Sequence, residues 1–473
     1  MARLAMLHGV PGISGAEFLA ALKKDTTIGD YFKNVTDGKG FAEALSNISN
    51  FPNDGVNTRL VAKIAMKHKK GAGTALTAPT TQLATGYYLI VDSTANGQTV
   101  YNPAVLAITS DITITDKTDV PTLEKKVQEN KKDVLDDTAY GAKFNDVADY
   151  NIGDDVPFHL IGSVPDMSQY ETYKYTFSDT LGDGFDAPTS VKVYLSDNKV
   201  LDAEDSDITS SFTVTNPLTK TFTVSINNLK AIADATTGKY VIVSYTAKLN
   251  SSAKIGLPGN VNTADLAYSN KPDQSGAGDT DNTGKTPEDK VIVFTYGLDV
   301  TKVDSKNTET KLKDAEFKLK NSDGKWATIT DGKVTGWADT ELQGSVLKSD
   351  ESGKFKVEGL DDGEYTLKET KAPAGYNLPA DGFSVTLTAT TANNQAWDGT
   401  ATKALTNLAV KVGQTDGTGD VTTGLGAITI KNTQGSSLPS TGGMGTVLLY
   451  VAGIAVFVLA GATLVMALRR RNA

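Results

Sequence analysis

The sequence predicts a mainly β protein made of tandem immunoglobulin-like β-sandwich domains, with helical insertions in its N-terminal domain and a transmembrane helix at its C-terminus. Three observations predict this. The 473 residues exceed one ordinary core and correspond to two to four domains. Short runs of β-branched and aromatic residues recur between turn residues, which is the pattern of a sandwich. An uncharged apolar run lies close to the end of the chain.

Composition excludes several classes of function. Lys and Arg number 46 against 56 Asp and Glu, a formal net charge of −10, which argues against a nucleic-acid partner. Cysteine is absent, which removes disulfides, thiolate nucleophiles and cysteine metal sites. The three histidines, His8, His68 and His159, form no ligand-spaced pair. We therefore expect a protein that is not an enzyme and needs no metal or cofactor.

Residues 1–117 are predicted to form the N-terminal domain, a β domain with helical insertions. Ser14 to Glu17 resembles a capping box that opens a short helix carrying Phe18, Leu19 and Leu22 on one side. Further elements are predicted as helices at 41–48 and 60–66 and as strands at 86–91 and around Ile112 and Ile114.

Residues 118–289 and 290–433 are predicted to form two successive β-sandwich domains. Residues 271–288 are rich in Gly, Asp and Thr and are predicted to be a polar loop or linker. The predicted strands lie at 173–177, 191–194, 212–214, 222–226, 240–245, 317–319, 354–357, 365–367 and 383–387.

Residues 434–473 are predicted to be a membrane anchor. Residues 444–468 carry no charge, and Arg469, Arg470 and Arg471 follow them. This length matches the roughly 20 residues that span a bilayer as a helix, and the basic tail places the C-terminus in the cytoplasm. The alternative is a buried core helix.

The pentapeptide before this span, Leu438, Pro439, Ser440, Thr441 and Gly442, resembles the LPXTG sorting signal of Gram-positive surface proteins. The resemblance implies that a sortase cysteine attacks the carbonyl of Thr441 and releases Gly442 onward, after which an amine resolves the acyl-enzyme. It also implies attachment to peptidoglycan at the cell wall. The start of the chain lacks a basic region followed by an apolar segment, so we expect the sequence to be truncated or its start to be mis-assigned.

Three polar residues of the last sandwich are predicted to point into its core, together with the apolar residues of their strands. Because side chains alternate faces along a strand, Lys302 shares a face with Leu298 and Val300, Glu369 with Tyr365 and Leu367, and Asn432 with Ile428 and Ile430. Unpaired, a buried Lys or Glu would cost several kcal/mol. Burial is expected to lower the lysine pKa and to raise the glutamate pKa. A neutral amine could then attack the amide; the alternative is a buried Lys–Glu ion pair beside an Asn.

Residues 365–376, Tyr-Thr-Leu-Lys-Glu-Thr-Lys-Ala-Pro-Ala-Gly-Tyr, closely resemble the E-box of Cna-B-type domains in Gram-positive pilins and adhesins. The resemblance implies an autocatalytic isopeptide bond between Lys302 and Asn432, with Glu369 assisting the reaction.

The middle sandwich repeats this pattern with an aspartate. Lys125, Asp179 and Asn270 each share a face with apolar neighbours. The set resembles the second domain of three-domain pilin backbones and implies a Lys125–Asn270 bond assisted by Asp179. The alternative is partly solvated polar groups at strand ends. Lys126 is expected on the outer face.

The whole pattern resembles an LPXTG-anchored major pilin, the backbone subunit of a fimbria on a Gram-positive surface. It implies a structural role in a covalent fibre of pilin subunits built by sortase, supporting adhesion to a host surface ligand. One alternative is a monomeric wall-anchored adhesin with Cna-B stalk domains. The other is a wall-anchored enzyme, for which the residues supply no catalytic set.

The lysine that joins subunits is predicted at Lys117. Pilin backbones often carry a Tyr-Pro-Lys-Asn-type motif near the end of the first domain, and no Tyr-Pro-Lys occurs here. Ile112 and Ile114 are expected to face the core, which places Lys117 on the opposite, wet face. A solvated linker lysine is the alternative, and Lys143 and the 67–70 cluster are competing candidates.

Overall fold

The structure is a computed structural model that describes residues 2–6, 15–48, 56–70, 74–75, 86–92, 104–108, 119–130, 139–141, 143–168, 170–216, 219–270, 283–392 and 397–435, together with residues 460, 463 and 466.

The N-terminal part combines a four-stranded antiparallel sheet with helices. The sheet has the order β2-β1-β3-β4. Its strands are β1 Ala2–Met6, β2 Thr74–Ala75, β3 Gly86–Asp92 and β4 Ala104–Ile108. The helices are α1 Gly15–Lys24, α2 Gly29–Phe32, α3 Gly38–Ser46 and α4 Val56–Lys67.

Apolar faces of the helices form this part's core. Phe18 and Leu22 of α1 are buried with Phe41 of α3, and the rings of Phe18 and Phe41 lie 5.9 Å apart. The short helix predicted to open at 14–17 is confirmed as α1, and the helices predicted at 41–48 and 60–66 are confirmed with shifted ends. The short helix α2 and the strands β1, β2 and β4 were not predicted from the sequence, and Ile112 and Ile114 lie outside the described residues.

The middle part is a two-sheet sandwich. One sheet has the order β11-β10-β14-β8-β5-β6, and the other has β12-β13-β9-β15-β17-β7 with β16 paired to β15. The strands are β5 Leu123–Gln128, β6 Phe144–Asn145, β7 Val147–Asp149, β8 Asp155–Ser163, β9 Tyr175–Leu181, β10 Thr189–Ser196, β11 Ser206–Asp207, β12 Thr213–Thr215, β13 Thr221–Ile226, β14 Tyr240–Lys248, β15 Asn260–Ser269, β16 Thr283–Lys285 and β17 Asp289–Phe294.

The side chains at every second position of these strands point between the two sheets and form the core. On β9, Tyr175, Phe177 and Asp179 are buried in turn, as predicted from their spacing. Strand β16 lies within the segment predicted as a linker, and residues 271–282 of that segment lie outside the described residues. Short 3₁₀ turns occupy Thr209–Ser211 and Leu229–Ala231.

The C-terminal part is built from one continuous hydrogen-bonded sheet whose main path runs β27-β26-β25-β24-β19-β20-β21-β23-β18-β29-β28, with β22 paired to β19. A 3₁₀ turn spans Glu341–Gln343. The remaining elements are β18 Tyr296–Asp304, β19 Glu316–Asn321, β20 Trp326–Thr330, β21 Lys333–Ala338, β22 Leu347–Lys348, β23 Lys354–Leu360, β24 Gly363–Lys371, β25 Phe383–Thr391, α5 Ala401–Ala404, β26 Leu405–Val412, β27 Thr415–Asp416, β28 Thr418–Asp420 and β29 Leu425–Asn432.

The first and last long strands of this part lie side by side. Strands β18 and β29 pair in parallel, with Lys302 opposite Ile430 and Asp304 opposite Asn432. Parallel neighbours need a long crossover, and here the crossover is the rest of the sandwich. The first and last strands of the C-terminal part are therefore adjacent in space, whereas its two ends, Tyr296 and Asn432, lie at opposite ends of this strand pair.

Strand β17 contributes to two cores. Val291 and Val293 belong to the middle core, whereas Ile292 and Phe294 belong to the C-terminal one. Because successive side chains point to opposite faces, one strand serves both.

A second set of contacts joins the middle and C-terminal parts; we call it the acidic joint, made of Glu129, Asp149, Asp361 and Asp362. Asn130 Nδ2 donates a hydrogen bond to Asp361 Oδ2 at 2.9 Å, and Tyr296 donates one to Asp149 Oδ2 at 2.8 Å. Glu129 and Asp149 have no exposed surface, and Asp361 is nearly buried. The pKa of Asp361 is raised well above its usual range by burial, and the charges of Asp149 and Glu129 add to the effect.

Among the described residues, no helix has both the length and the apolar character needed to cross a membrane. The predicted transmembrane helix at 444–468 lies outside the described residues except for Ala460, Thr463 and Met466.

Candidate functional site

The C-terminal sandwich brings Lys302, Glu369 and Asn432 together in its core. Lys302 lies on β18, Glu369 on β24 and Asn432 at the end of β29. Asn432 pairs with Asp304, two residues beyond Lys302, so the two side chains share a face and reach each other diagonally. This set is the distal cluster.

All three side chains of the distal cluster contact one another. Lys302 Nζ lies 2.9 Å from Glu369 Oε2 and hydrogen-bonds Asn432 Oδ1. Asn432 Nδ2 donates to Glu369 Oε1 at 2.8 Å. The two oxygens of one carboxylate thus contact the amine on one side and the amide nitrogen on the other.

Apolar surroundings set the chemistry of the distal lysine. Lys302 is fully buried, and its Nζ lies 5.2 Å from the ring centre of Phe317 and 5.3 Å from that of Phe383. Burial lowers the pKa of Lys302, although its bond to Glu369 opposes this. Loss of its proton gives an amine whose lone pair can attack a carbonyl carbon.

The middle sandwich holds a related set, the proximal cluster of Lys125, Asp179, Tyr245 and Asn262. Lys125 (β5) and Tyr245 (β14) come from one sheet, and Asp179 (β9) and Asn262 (β15) come from the other. Lys125 Nζ hydrogen-bonds Asp179 Oδ2 and lies 3.1 Å from the Tyr245 hydroxyl oxygen. All four residues are at most 3% exposed.

The structure does not bring Asn270 into this cluster. On β15, Ala264 pairs with Asp179, so Asn270, just past the end of this strand, lies six residues, or about 20 Å, further along the chain. Asn262 lies two residues on the other side of Ala264 and on the same face, and its Nδ2 donates to the Tyr245 hydroxyl at 2.8 Å. Asn270 has the predicted inward phase, being 3% exposed, yet Asn262 is the amide beside Lys125.

Burial perturbs both ionisable partners of the proximal cluster in the direction of neutral forms. It lowers the pKa of Lys125 and raises the pKa of Asp179, with their mutual attraction opposing both shifts. Burial also raises the pKa of Tyr245 well above its usual value, so this hydroxyl keeps its proton. Transfer of one proton from lysine to aspartate removes both charges from the core.

Lys126 is buried although it lies on the outer face of the sandwich. Its phase places it outside the sandwich core, as predicted, but it is only 4% exposed. Its Nζ lies 2.5 Å from Asp146 Oδ1 and 4.6 Å from the ring centre of Tyr140, and Trp397 of the C-terminal part donates its backbone N–H to Asp146. This outer face is covered by residues distant in sequence, and alternation within one strand cannot predict such contacts.

Two groups of predicted residues lie outside the described residues. They are Lys117 and the pentapeptide Leu438, Pro439, Ser440, Thr441 and Gly442. Among the described residues, the carboxylates that approach one another closely enough to hold a metal ion are those of Asp149, Asp361 and Asp362, whose ligand atoms lie within 4.8 Å. They belong to the acidic joint and to neither lysine cluster.

Comparison with known proteins gives a family match and a related sequence. Residues 297–403 match the family described as SpaA, prealbumin-like fold domain. The chain is 29% identical over 301 residues to the "trypsin-resistant surface T6 protein" of Streptococcus pyogenes serotype M6, a match that covers 52% of this chain and 51% of that protein. The chain thus spans about half the length of this curated relative.

The solved structures to which the chain shows some similarity include two pilins. The T6 backbone pilin of serotype M6 S. pyogenes gives a TM-score of 0.48 at 18% identity, over 75% of this chain and 82% of that one. The full-length major pilin SpaD of Corynebacterium diphtheriae gives a TM-score of 0.48 at 18% identity, over 79% of this chain and 87% of that one.

Proposed function

We propose that this chain is the structural backbone subunit of a sortase-assembled covalent pilus on a Gram-positive cell surface. Two findings support the proposal: its match to the SpaA-type prealbumin-like domain and its sequence relation to the T6 surface protein. The observation that carries the proposal is the pair of buried clusters, each of which places a lysine amine against an acid and near an asparagine amide.

The proposed chemistry in each cluster is an autocatalytic isopeptide bond. The neutral lysine amine attacks the side-chain carbonyl carbon of asparagine, a C–N bond forms, the bond to Nδ2 breaks, and ammonia leaves. The bonds are Lys302–Asn432, assisted by Glu369, and Lys125–Asn262, assisted by Asp179. No cofactor takes part, and the protein itself is not an enzyme in the ordinary sense, because each bond forms once.

The positions of these bonds suit a load-bearing subunit. A force applied at Tyr296 and Asn432 would run along β18 from Tyr296 to Lys302 and then cross the Lys302–Asn432 bond to Asn432. Residues 303–431 would carry no tension. In the middle part the bond would likewise shield residues 126–261. Covalent closure of such loops also stabilises the fold, as disulfides do in other proteins.

Assembly would use the sorting signal and an acceptor amine. We propose that sortase cleaves after Thr441 and joins that carbonyl to Lys117 of another subunit, and that the last subunit is joined to peptidoglycan. The apolar segment 444–468 would hold the precursor in the membrane as a helix until cleavage. The finished protein would then be a cell-wall fimbria that supports adhesion to host surfaces.

The second candidate is a monomeric wall-anchored adhesin in which the two sandwiches form a stalk. The absence of a Tyr-Pro-Lys motif favours it. It differs from the backbone proposal because it predicts wall attachment without polymerisation.

The deciding experiment expresses the chain, preceded by an export signal, with a pilin-type sortase in a Gram-positive host and examines wall extracts on denaturing gels. A high-molecular-weight ladder that vanishes in Thr441→Ala supports the backbone function, whereas a single wall-linked band supports the adhesin. Lys117→Ala should also abolish the ladder, and Lys143→Ala is its control. A ladder that persists in Lys117→Ala would eliminate this acceptor, and the cross-linked peptide would identify another.

A further inference from the structure

The proximal cluster differs from the distal one in how its acid reaches the amide. In the distal cluster, Glu369 contacts Lys302 Nζ through Oε2 and Asn432 Nδ2 through Oε1. In the proximal cluster, Asp179 is one methylene shorter, and Asn262 Nδ2 donates to the Tyr245 hydroxyl. A tyrosine therefore occupies the place that the second carboxylate oxygen holds in the distal cluster.

The Tyr245 hydroxyl contacts all three reacting side chains. It lies 3.1 Å from Lys125 Nζ, 2.8 Å from Asn262 Nδ2 and 3.0 Å from Asp179 Oδ2, to which it donates. Its ring is fixed by Phe222, 5.2 Å away edge-on, and by Phe158, 5.4 Å away in a stack. A hydroxyl held in this way can accept a proton from one neighbour and give its own to another.

We propose that Tyr245 is a catalytic residue of isopeptide formation in the middle domain, where it relays a proton from the attacking amine to the departing amide nitrogen. This inference rests on the proposed function, since it concerns the Lys125–Asn262 bond.

The relay balances as follows. Lys125, deprotonated by transfer of its ammonium proton to Asp179, attacks the Cγ atom of Asn262, and its Nζ becomes positively charged in the tetrahedral intermediate. Nζ gives one proton to the Tyr245 oxygen, and the Tyr245 hydroxyl proton passes to Nδ2, which has become a basic amine. The C–Nδ2 bond then breaks, ammonia leaves, and Tyr245 ends as the neutral phenol it was at the start.

Two further observations agree with this division of roles. Burial raises the pKa of Tyr245, so the hydroxyl acts as a two-way carrier and not as a standing phenolate. Among the described residues, Asp179 Oδ1 and Asn262 Oδ1 are buried without hydrogen-bond partners. A protonated Asp179 could donate a hydrogen bond of its own. Protonation of the departing Nδ2 is then assigned to Tyr245.

The test measures the rate of each bond separately. The chain is synthesised in a cell-free reaction with a short isotopic pulse, and samples are quenched, digested and analysed for the Lys125–Asn262 and Lys302–Asn432 cross-linked peptides. Because a general acid–base residue contributes about 10²–10⁴-fold, Tyr245→Phe should slow the first bond at least about 100-fold and leave the second unchanged.

Tyr175→Phe is the matched control. It also removes a buried hydroxyl from the same core, one that donates to the Ser163 carbonyl at 2.9 Å, and should leave both rates unchanged. Equal rates for the first bond in wild type and Tyr245→Phe would overturn the inference while leaving the proposed function intact. Absence of that bond from the wild type would instead overturn the middle-domain part of the proposed function.

A second variant covers the case in which Tyr245→Phe does not fold. Site-specific 3,5-difluorotyrosine at position 245 keeps the ring and hydroxyl but lowers the hydroxyl pKa. A change in the rate of the Lys125–Asn262 bond, with an unchanged rate at Lys302–Asn432, supports the relay. The same rate with either tyrosine contradicts it.

Discussion

Replacement of Glu369 by Gln should prevent the Lys302–Asn432 bond and lower the stability of the C-terminal sandwich. The substitution keeps the shape of the side chain but removes the acid that contacts both the amine and the amide. The bonded residues are 130 positions apart, and closing a loop of that length contributes about 5 kcal/mol in the chain-entropy treatment.

That free energy translates into a measurable temperature shift. At about 2.1 cal/mol/K per residue, the roughly 140 residues of this sandwich unfold with an entropy near 0.3 kcal/mol/K, so the bond is worth about 17 °C in Tm. Calorimetry of the wild type and the variant gives the shift, and intact mass reports whether the ammonia of that bond was lost.

Two controls separate the bond from other effects. Glu364→Gln changes an exposed glutamate on the same strand and should leave both mass and Tm unchanged. Asn432→Ala removes the electrophile but keeps the Lys302–Glu369 ion pair, and should lose a similar amount of stability. A Lys302–Asn432 cross-link at wild-type level in Glu369→Gln would refute the assigned role of this acid.

Further predictions concern the middle part and the acidic joint. Asn262→Ala should abolish the proximal cross-link while Asn270→Ala keeps it, as peptide mapping would show; the reverse result would restore the original assignment. Burial lowers the pKa of His159 from 6.5 to about 3. The contribution of the neutral, buried imidazole to the free energy of unfolding is therefore complete above pH 6.5 and is lost as pH falls toward 3. The loss is at most about 5 kcal/mol, and urea unfolding of His159→Phe should not show it. Because the pKa of Asp361 is raised, its contribution to stability falls as pH rises above the ordinary value of 3.8; Asp361→Asn should therefore be more stable than wild type at pH 8, and an equal or lower Tm would contradict this.

Alternation along strands was sufficient to identify which residues face the cores. Lys125, Asp179, Lys302, Glu369 and Asn432 are all buried, as their spacing predicted, since the side-chain period of a strand is fixed by its backbone. In the last sandwich, alternation and the resemblance to the E-box together were enough to predict all three residues of the distal cluster.

Phase alone does not determine position along a strand. Asn260 and Asn262 on β15, and Asn270 one residue past its end, are separated by even numbers of residues, so alternation treats them equally. The pairing of Ala264 with Asp179 decides among them, and this register depends on contacts between segments far apart in sequence. Tyr245 was not predicted for a similar reason. Its hydroxyl reaches Asp179 and Asn262 from the facing sheet, and the sequence of its strand is that of an ordinary buried strand.

Isopeptide formation is tested by the intact mass of the purified, folded chain, followed by mapping of its cross-linked peptides. We expect a mass that falls short of the calculated value by two ammonia molecules, with cross-links joining Lys125 to Asn262 and Lys302 to Asn432. A folded protein with the full calculated mass, and with four unmodified side chains at these positions, would contradict this expectation.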